Sequence, residues 1–311
     1  MTDSSATIER RSLEIGKWAN LFMAISGIAA SYASASDAIL VDGLYSGVNF
    51  LSAIVAGRIT LSLARPADRR FPFGYDAYEA LYVKYRSLVL LGIMAFAIFG
   101  AGSKIITYAR GGQVPELVFG PILIYMLLMV GLCLGLAWWH HTNWRKSGGR
   151  SELLQTESRA AIVDGVISAG AGAGLLAAAL LRGTFLAGLV PISDSIVVLI
   201  MCAFIIRQPL AMFRGSLREV AGGAADPETV GKIERRIEEL ITDRPLKLVD
   251  IAVTKLGRSY FVIPYLEPSE AIDAAAVDRL RHELLSIYGD MLGEAKVEII
   301  ITAEAPYPEK S

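Results

Sequence analysis

Cysteine and histidine are scarce in this chain: two cysteines and three histidines among 311 residues. Cys133 and Cys202 lie far apart in sequence, each inside an apolar stretch. They read as small core or lipid-facing hydrophobes and carry no information on redox compartment. There is no Gly-rich phosphate loop, no nucleophile–base pair and no clustered set of metal ligands, so the chain does not read as an enzyme and calls for no cofactor. Charge of one sign is also missing. The formal net charge is −1, which leaves no electrostatic footprint for nucleic acid. Charged residues make up only 20% of the chain, and they are unevenly spread. No cleavable leader is evident: the first dozen residues are polar, and the apolar stretch Trp18 to Ala35 is too long for a signal peptide core.

What is present is apolar residue content of 53%, concentrated between Lys17 and Pro209. A helix needs ~20 residues to cross the hydrocarbon of a bilayer. Six spans satisfy that length, at approximately 15–35, 38–63, 84–108, 115–140, 156–181 and 188–208. Basic residues mark one side. Arg10, Arg11 and Lys17 precede span one; Arg65, Arg69 and Arg70 follow span two, with Lys84 and Arg86 opening span three; Arg145, Lys146 and Arg150 follow span four. The opposite links hold at most Arg110 or Arg182. The positive-inside rule therefore predicts cytoplasmic termini, and the expected location is a bacterial cytoplasmic (inner) membrane.

Two of these spans carry nearly the same words. Val41-Asp42-Gly43-Leu44-Tyr45-Ser46 lies in span two, and Val163-Asp164-Gly165-Val166-Ile167-Ser168 in span five. A carboxylate at bilayer depth costs several kcal/mol unless it faces a bundle interior, a partner or water, so an intramembrane Asp points to function. Asp42, Tyr45, Ser46 and Asn49 follow i, i+3, i+4, i+7 spacing, one helical face about 10 Å long. Asp164, Ile167, Ser168 and Ala171 repeat that spacing. The competing structural reading is that the Asp residues tie helices together and that Ser46 and Ser168 bond back to their own helix carbonyls. Span five is rich in small residues from Gly165 to Gly174, which predicts a close crossing of spans two and five.

The connection after span two runs Arg65-Pro66-Ala67-Asp68-Arg69-Arg70-Phe71-Pro72-Phe73-Gly74-Tyr75-Asp76-Ala77-Tyr78-Glu79. With the six spans, the doubled Asp motif, Asp194 opening span six, and the stretches Ser216-Leu217-Arg218-Glu219 and Asp226-Pro227-Glu228, this resembles the cation diffusion facilitators. Pro66, Asp68, Pro72, Phe73, Gly74 and Glu79 agree with the family's loop. The resemblance covers nearly the whole chain. It implies efflux of a divalent cation in exchange for protons, and a C-terminal domain that pairs with its copy as a homodimer. It also implies a tetrahedral site for zinc or a similar ion on spans two and five.

The ligand positions depart from that pattern. Where the family carries His or Asp, this chain has Tyr45 and Asn49 on span two, then Ile167 and Ala171 on span five. Zinc takes His nitrogen, Cys sulfur or carboxylate oxygen. The loop histidines of a second family site stand as Phe71 and Tyr75, leaving Asp68 as a possible metal ligand. The C-terminal domain positions read approximately Val249, Tyr265 and Thr302. His140, His141 and His282 fit structural roles. Two readings stay open. In one, a cation is bound by Asp42 and Asp164 with Tyr45, Ser46, Asn49 and Ser168, an oxygen-rich set suited to harder ions. In the other, the chain is a non-transporting relative acting as a regulatory or dimerisation partner.

The expected fold is an all-α six-helix transmembrane domain followed by a small cytoplasmic α+β domain. The boundaries fall at a 1–14 tail, 15–210 for the membrane domain, a 211–225 linker, 226–305 for the soluble domain and a 306–311 tail. Within the soluble part, a helical rhythm runs over 227–242 and a strand over 248–255. A turn at Leu256-Gly257-Arg258 leads to a strand over 259–266. A helix over 271–288 and a strand over 296–302 complete an α-β-β-α-β order. Expected partners are the transported cation, protons, the lipid bilayer and a second copy of the chain.

Overall fold

The computed structural model describes residues 3–306 apart from 64, 66, 147–150, 181–183 and 186. Pro66, Arg150, Arg182 and the tail after 306 therefore lie outside the described residues. The chain divides into two compact units: Met1–Val55 with Arg86–Leu210, and Ala56–Tyr85 with Ala211–Ser311.

The helices of the first unit come from α1 (Asp3–Ser34), α2 (Asp37–Leu63), α3 (Ala77–Ala109), α4 (Phe119–Lys146), α5 (Glu152–Leu180) and α6 (Ser193–Ile205). A 3₁₀ segment, Ala187–Ile192, leads into α6. Among the described residues five segments are long and apolar enough to cross a membrane: Asp37–Thr60, Ala77–Ala109, Phe119–Lys146, Leu154–Leu180 and Ala187–Val220. The first expected span falls on α1, which is long but falls short of that apolar standard, since Lys17, Asn20, Ser26, Ser31 and Ser34 dilute it. The sixth expected span, 188–208, falls within Ala187–Val220, whose helix is interrupted at one residue. It breaks after Ile205 and resumes as α7 (Arg207–Val220). Pro209 explains the break: a proline ring clashes with the carbonyl four residues earlier, here that of Ile205.

Large side chains point outward and small ones inward. Trp18, Phe22, Ile25 and Tyr32 on α1, Phe96 and Phe99 on α3, and Ile124, Leu127 and Trp138 on α4 are exposed. The core between the helices is made of Ala19, Met23, Ala38, Met94, Ala97, Ala101, Met129, Cys133, Val198, Met201 and Cys202. Exposed apolar surface on this scale marks contact with lipid. Tight spots fall where glycine permits them. A Cβ on Gly27 of α1 would sit 2.6 Å from the Gly43 Cα of α2. On α5, Gly165 and Gly172 lie against Cys133 and Met126 of α4, and Gly174 against Val197 of α6. The small residues of span five thus serve packing on α4 and α6, and the glycine-to-glycine approach on α2 is made by α1.

The second unit carries α8 (Pro227–Ile241), β1 (Leu246–Leu256), β2 (Ser259–Pro268), α9 (Ala274–Leu292), β3 (Glu294–Val297) and β4 (Ile300–Ile301). β1 and β2 pair antiparallel around Gly257, whose φ of 62° suits a residue without Cβ. β3 and β4 both pair parallel with β2 in one register, Ser259 facing Glu294 and Tyr265 facing Ile300. The expected strand over 296–302 is therefore two short strands starting earlier, and the order is α-β-β-α-β-β. Between these strands the Glu298 amide still donates to the Val262 carbonyl of β2 at 3.1 Å, and its carboxylate lies 3.4 Å from Arg281. The second helix starts and ends three to four residues later than expected: Asp273 caps it by accepting from the Ala276 amide at 2.6 Å, and Gly293 at φ 88° closes it. Ile233, Ile237, Val262, Leu266, Leu284 and Tyr288 form the core between α8, α9 and the sheet.

The connection after span two belongs to this second unit. Asp68 accepts from the Arg70 and Phe71 amides, both at 2.8 Å, and from the Tyr75 hydroxyl at 2.7 Å. Lys296 donates to the Phe73 carbonyl and the Asp76 carboxylate, and lies 5.0 Å over the Phe261 ring. Arg258 pairs with Glu79 at 3.2 Å. Gly257 approaches so closely that a Cβ there would meet the Asp76 carbonyl at 2.4 Å.

Candidate functional site

Asp42 lies one turn and a half into α2, and its carboxylate reaches two other helices. The Tyr125 hydroxyl of α4 donates to Oδ2 at 2.8 Å, and the Ser168 hydroxyl of α5 donates to Oδ2 at 3.1 Å and Oδ1 at 3.3 Å. Ser168 does not bond back along its own helix; it bridges to α2. The helix N-terminus behind Asp42 is held by a third carboxylate. Asp194 of α6 accepts from the Ser36 hydroxyl at 2.6 Å and from the Asp37 and Ala38 amides at 2.8 and 3.2 Å. A carboxylate on the first-turn amides of a helix satisfies orphan donors and meets the positive end of the helix dipole. Asp194 thereby fixes where α2 begins, and Lys104 of α3 pairs with Asp37 at 2.6 Å.

A cavity of about 10 Å³ adjoins Asp42, Tyr125 and Ser168. That is room for about one water at most. Ile39, Ile122, Met126, Ala171 and Leu175 complete much of its lining, and Asp164 is not part of it. Asp164 lies one turn from Ser168 on α5, within electrostatic reach of Asp42, Tyr45 and Glu157. It accepts no hydrogen bond from the described residues. Ser46 is buried, whereas Tyr45 and Asn49 are partly buried. Asn49 accepts from Arg86 Nη2 of α3 at 3.0 Å. Ile167 and Ala171, at the family's ligand positions, pack against the apolar core.

The structure thus brings Asp42 and Ser168 together and sets Asp164 close by. Asn49 belongs to a separate polar contact, and Asp68 sits in the loop of the second unit with its oxygens engaged by three donors. Among the described residues no group of three or more His, Cys, Asp or Glu side chains could hold a metal ion. Zinc in a four-ligand protein cage does not fit these residues. Three polar residues of this region escape a search for doubled motifs. Tyr125 is the lone hydroxyl between Phe119 and Trp139, which is a legible signal. Glu157 stands two turns before Asp164 on the same face of α5. Arg86 counts in the sequence only as a topological charge, yet it bonds inside the bundle.

His140 is buried on α4. Its Nδ1 lies 2.9 Å from the Ser12 hydroxyl, which also accepts from Asn143 at 3.3 Å, tying α1 to α4. His282 is exposed on α9, its Nδ1 2.7 Å from the Asp278 carbonyl.

A bundle of apolar helices with carboxylates bonded across its interior defines an integral membrane protein with a polar path or anchor at its centre. Residues 15–220 match the family described as the cation efflux transmembrane domain. The chain belongs to this family, the cation diffusion facilitators. No curated protein matches the chain.

Proposed function

We propose that the chain exports a divalent cation from the cytoplasm in exchange for protons, through an oxygen-rich site built on Asp42 and Asp164. The observation that carries this reading is the Asp42 carboxylate, held by hydroxyls from α4 and α5 where three membrane helices meet. Asp164 nearby adds a second carboxylate that accepts no hydrogen bond from the described residues. Two such oxygens, with Ser46 and Ser168, suit a hard ion such as Mn²⁺ or Mg²⁺. The same carboxylates would take up protons as the ion leaves, which is the basis for coupling. α1 would complete six spans, its outward Trp18, Phe22 and Ile25 facing lipid, with both termini cytoplasmic. The soluble unit would pair with its copy to form a homodimer.

The small and largely apolar cavity beside Asp42, with both oxygens already engaged, favours the second reading: a non-transporting relative in which Asp42 only ties α2 to α4 and α5. Flux into proteoliposomes separates them. With an imposed pH gradient, Mn²⁺, Mg²⁺, Zn²⁺ and Na⁺ are offered in turn. Transport predicts saturable entry of at least one divalent ion, with proton movement in the opposite direction. Entry no faster than into protein-free vesicles for all four ions would leave the non-transporting reading.

A further inference from the structure

Arg86 bonds into the polar face of α2. Its Nη2 donates to the Asn49 carboxamide at 3.0 Å, while its Nε is buried and bonds to nothing among the described residues. Asn49 is two turns along α2 from Asp42 on the same face. Tyr45, between them, lies within electrostatic reach of both Arg86 and Asp164. The α5 face runs the opposite way: Ser168 meets Asp42, Asp164 stands near Tyr45, and Glu157 stands within reach of Arg86. The face therefore has a carboxylate end, Asp42 with Asp164, and a guanidinium end at Asn49.

We propose that Arg86 is a resident cation that occupies the Asn49 end of this polar face and bars any added cation from it, so that a transported ion is confined to the Asp42–Asp164 end. A guanidinium cannot lose its proton in a protein, so this positive charge is permanent. A metal ion brought to Asn49 would have to meet it at close range with little water to screen it. Arg86 would also offset Glu157, which leaves fewer negative charges to neutralise when no ion is bound. This assignment rests on the transport reading for its consequence, but the placement of Arg86 is testable without transport.

The test adds a carboxylate on the face and asks whether the guanidinium claims it. Four proteins are compared in detergent, first without added metal: wild type, Asn49→Asp, Arg86→Gln and the double variant. If Arg86 occupies this end, Asn49→Asp gains an ion pair and melts higher than wild type. In the Arg86→Gln background the same change lowers the melting temperature, because the new carboxylate is unpaired. Equal shifts in the two backgrounds would overturn the assignment. Mn²⁺ binding is then measured by calorimetry. Asn49→Asp alone should change the affinity less than threefold, whereas the double variant should gain at least tenfold. A tenfold gain from Asn49→Asp alone would also overturn it. A failure of Mn²⁺ to bind any of the four, with the stability coupling intact, would count against the transport reading and leave Arg86 where it is placed.

Discussion

Tyr125 and Ser168 each give a hydrogen to one carboxylate, and hydrogen bonds to an ionised group are worth about 1.5–3 kcal/mol. Tyr125→Phe keeps the ring and removes the donor, so it should lower unfolding free energy by roughly that amount. Thermal melting in detergent checks it, and a change under ~0.5 kcal/mol would mean that Asp42 is not charged there or finds another donor. Asp68 offers a pH test. Its turn amides and the Tyr75 hydroxyl hold its carboxyl below the usual carboxylate range. A group whose folded pKa is depressed stabilises the fold above its unfolded pKa, and loses that effect as pH falls through the folded value. The turn at 68–71 should therefore stay closed at pH 5 and loosen only below about pH 3.9. Hydrogen exchange at the Phe71 amide reads this directly. Asp68→Ala should speed that exchange at pH 7, and an unchanged rate would show that the carboxylate does not hold the turn.

Helices, strands and their junctions are tested by two pairs of substitutions. Gly27 and Gly43 let α1 and α2 approach to a distance that admits no Cβ. Gly43→Ala forces backbones apart, for a cost of about 1–3 kcal/mol, and Gly57→Ala, with nothing near its Cβ position, should not. In the second unit, Asp76 is nearly buried beside Lys296, whereas Lys232 and Glu228 form an exposed pair. Removing one partner of a buried pair strands the other charge; exposed pairs contribute ~0.2–1 kcal/mol. Lys296→Met, which strands the buried Asp76 carboxylate, should therefore melt well below Lys232→Met. Equal melting would show that Lys296 does not hold the start of α3. At this scale much was legible in the sequence. Five of the six spans followed from apolar length alone, because backbone satisfaction in lipid leaves few alternatives to a helix. The break at Ile206 follows from Pro209, yet an apolar run hides it. The partners of the α5 glycines were not legible, since small residues mark close packing without naming the neighbour. Asp42 and Ser168 were visible through their repeated motif. Tyr125 stands out as a lone hydroxyl but its partner does not, and Arg86 was not visible, because which side of α3 or α4 turns inward depends on the rotation of helices that are apolar on every face.

For the molecule as a whole, the central claim is that Asp42 and Asp164 carry an ion and do more than tie helices together. The two roles give opposite signs under one substitution. Asn keeps the shape of Asp and is cheaper to bury than a carboxylate. If Asp42 only anchors α2, Asp42→Asn exchanges a strong charge-assisted bond for a weaker one and stability falls. If it exists to carry charge, the neutral amide leaves the fold as stable or more so while transport stops. The decisive measurement is cation flux in proteoliposomes for Asp42→Asn and Asp164→Asn, with melting temperature recorded on the same preparations. The account predicts flux reduced to the protein-free background in both variants, at unchanged or raised melting temperature. Full flux in both variants would contradict it.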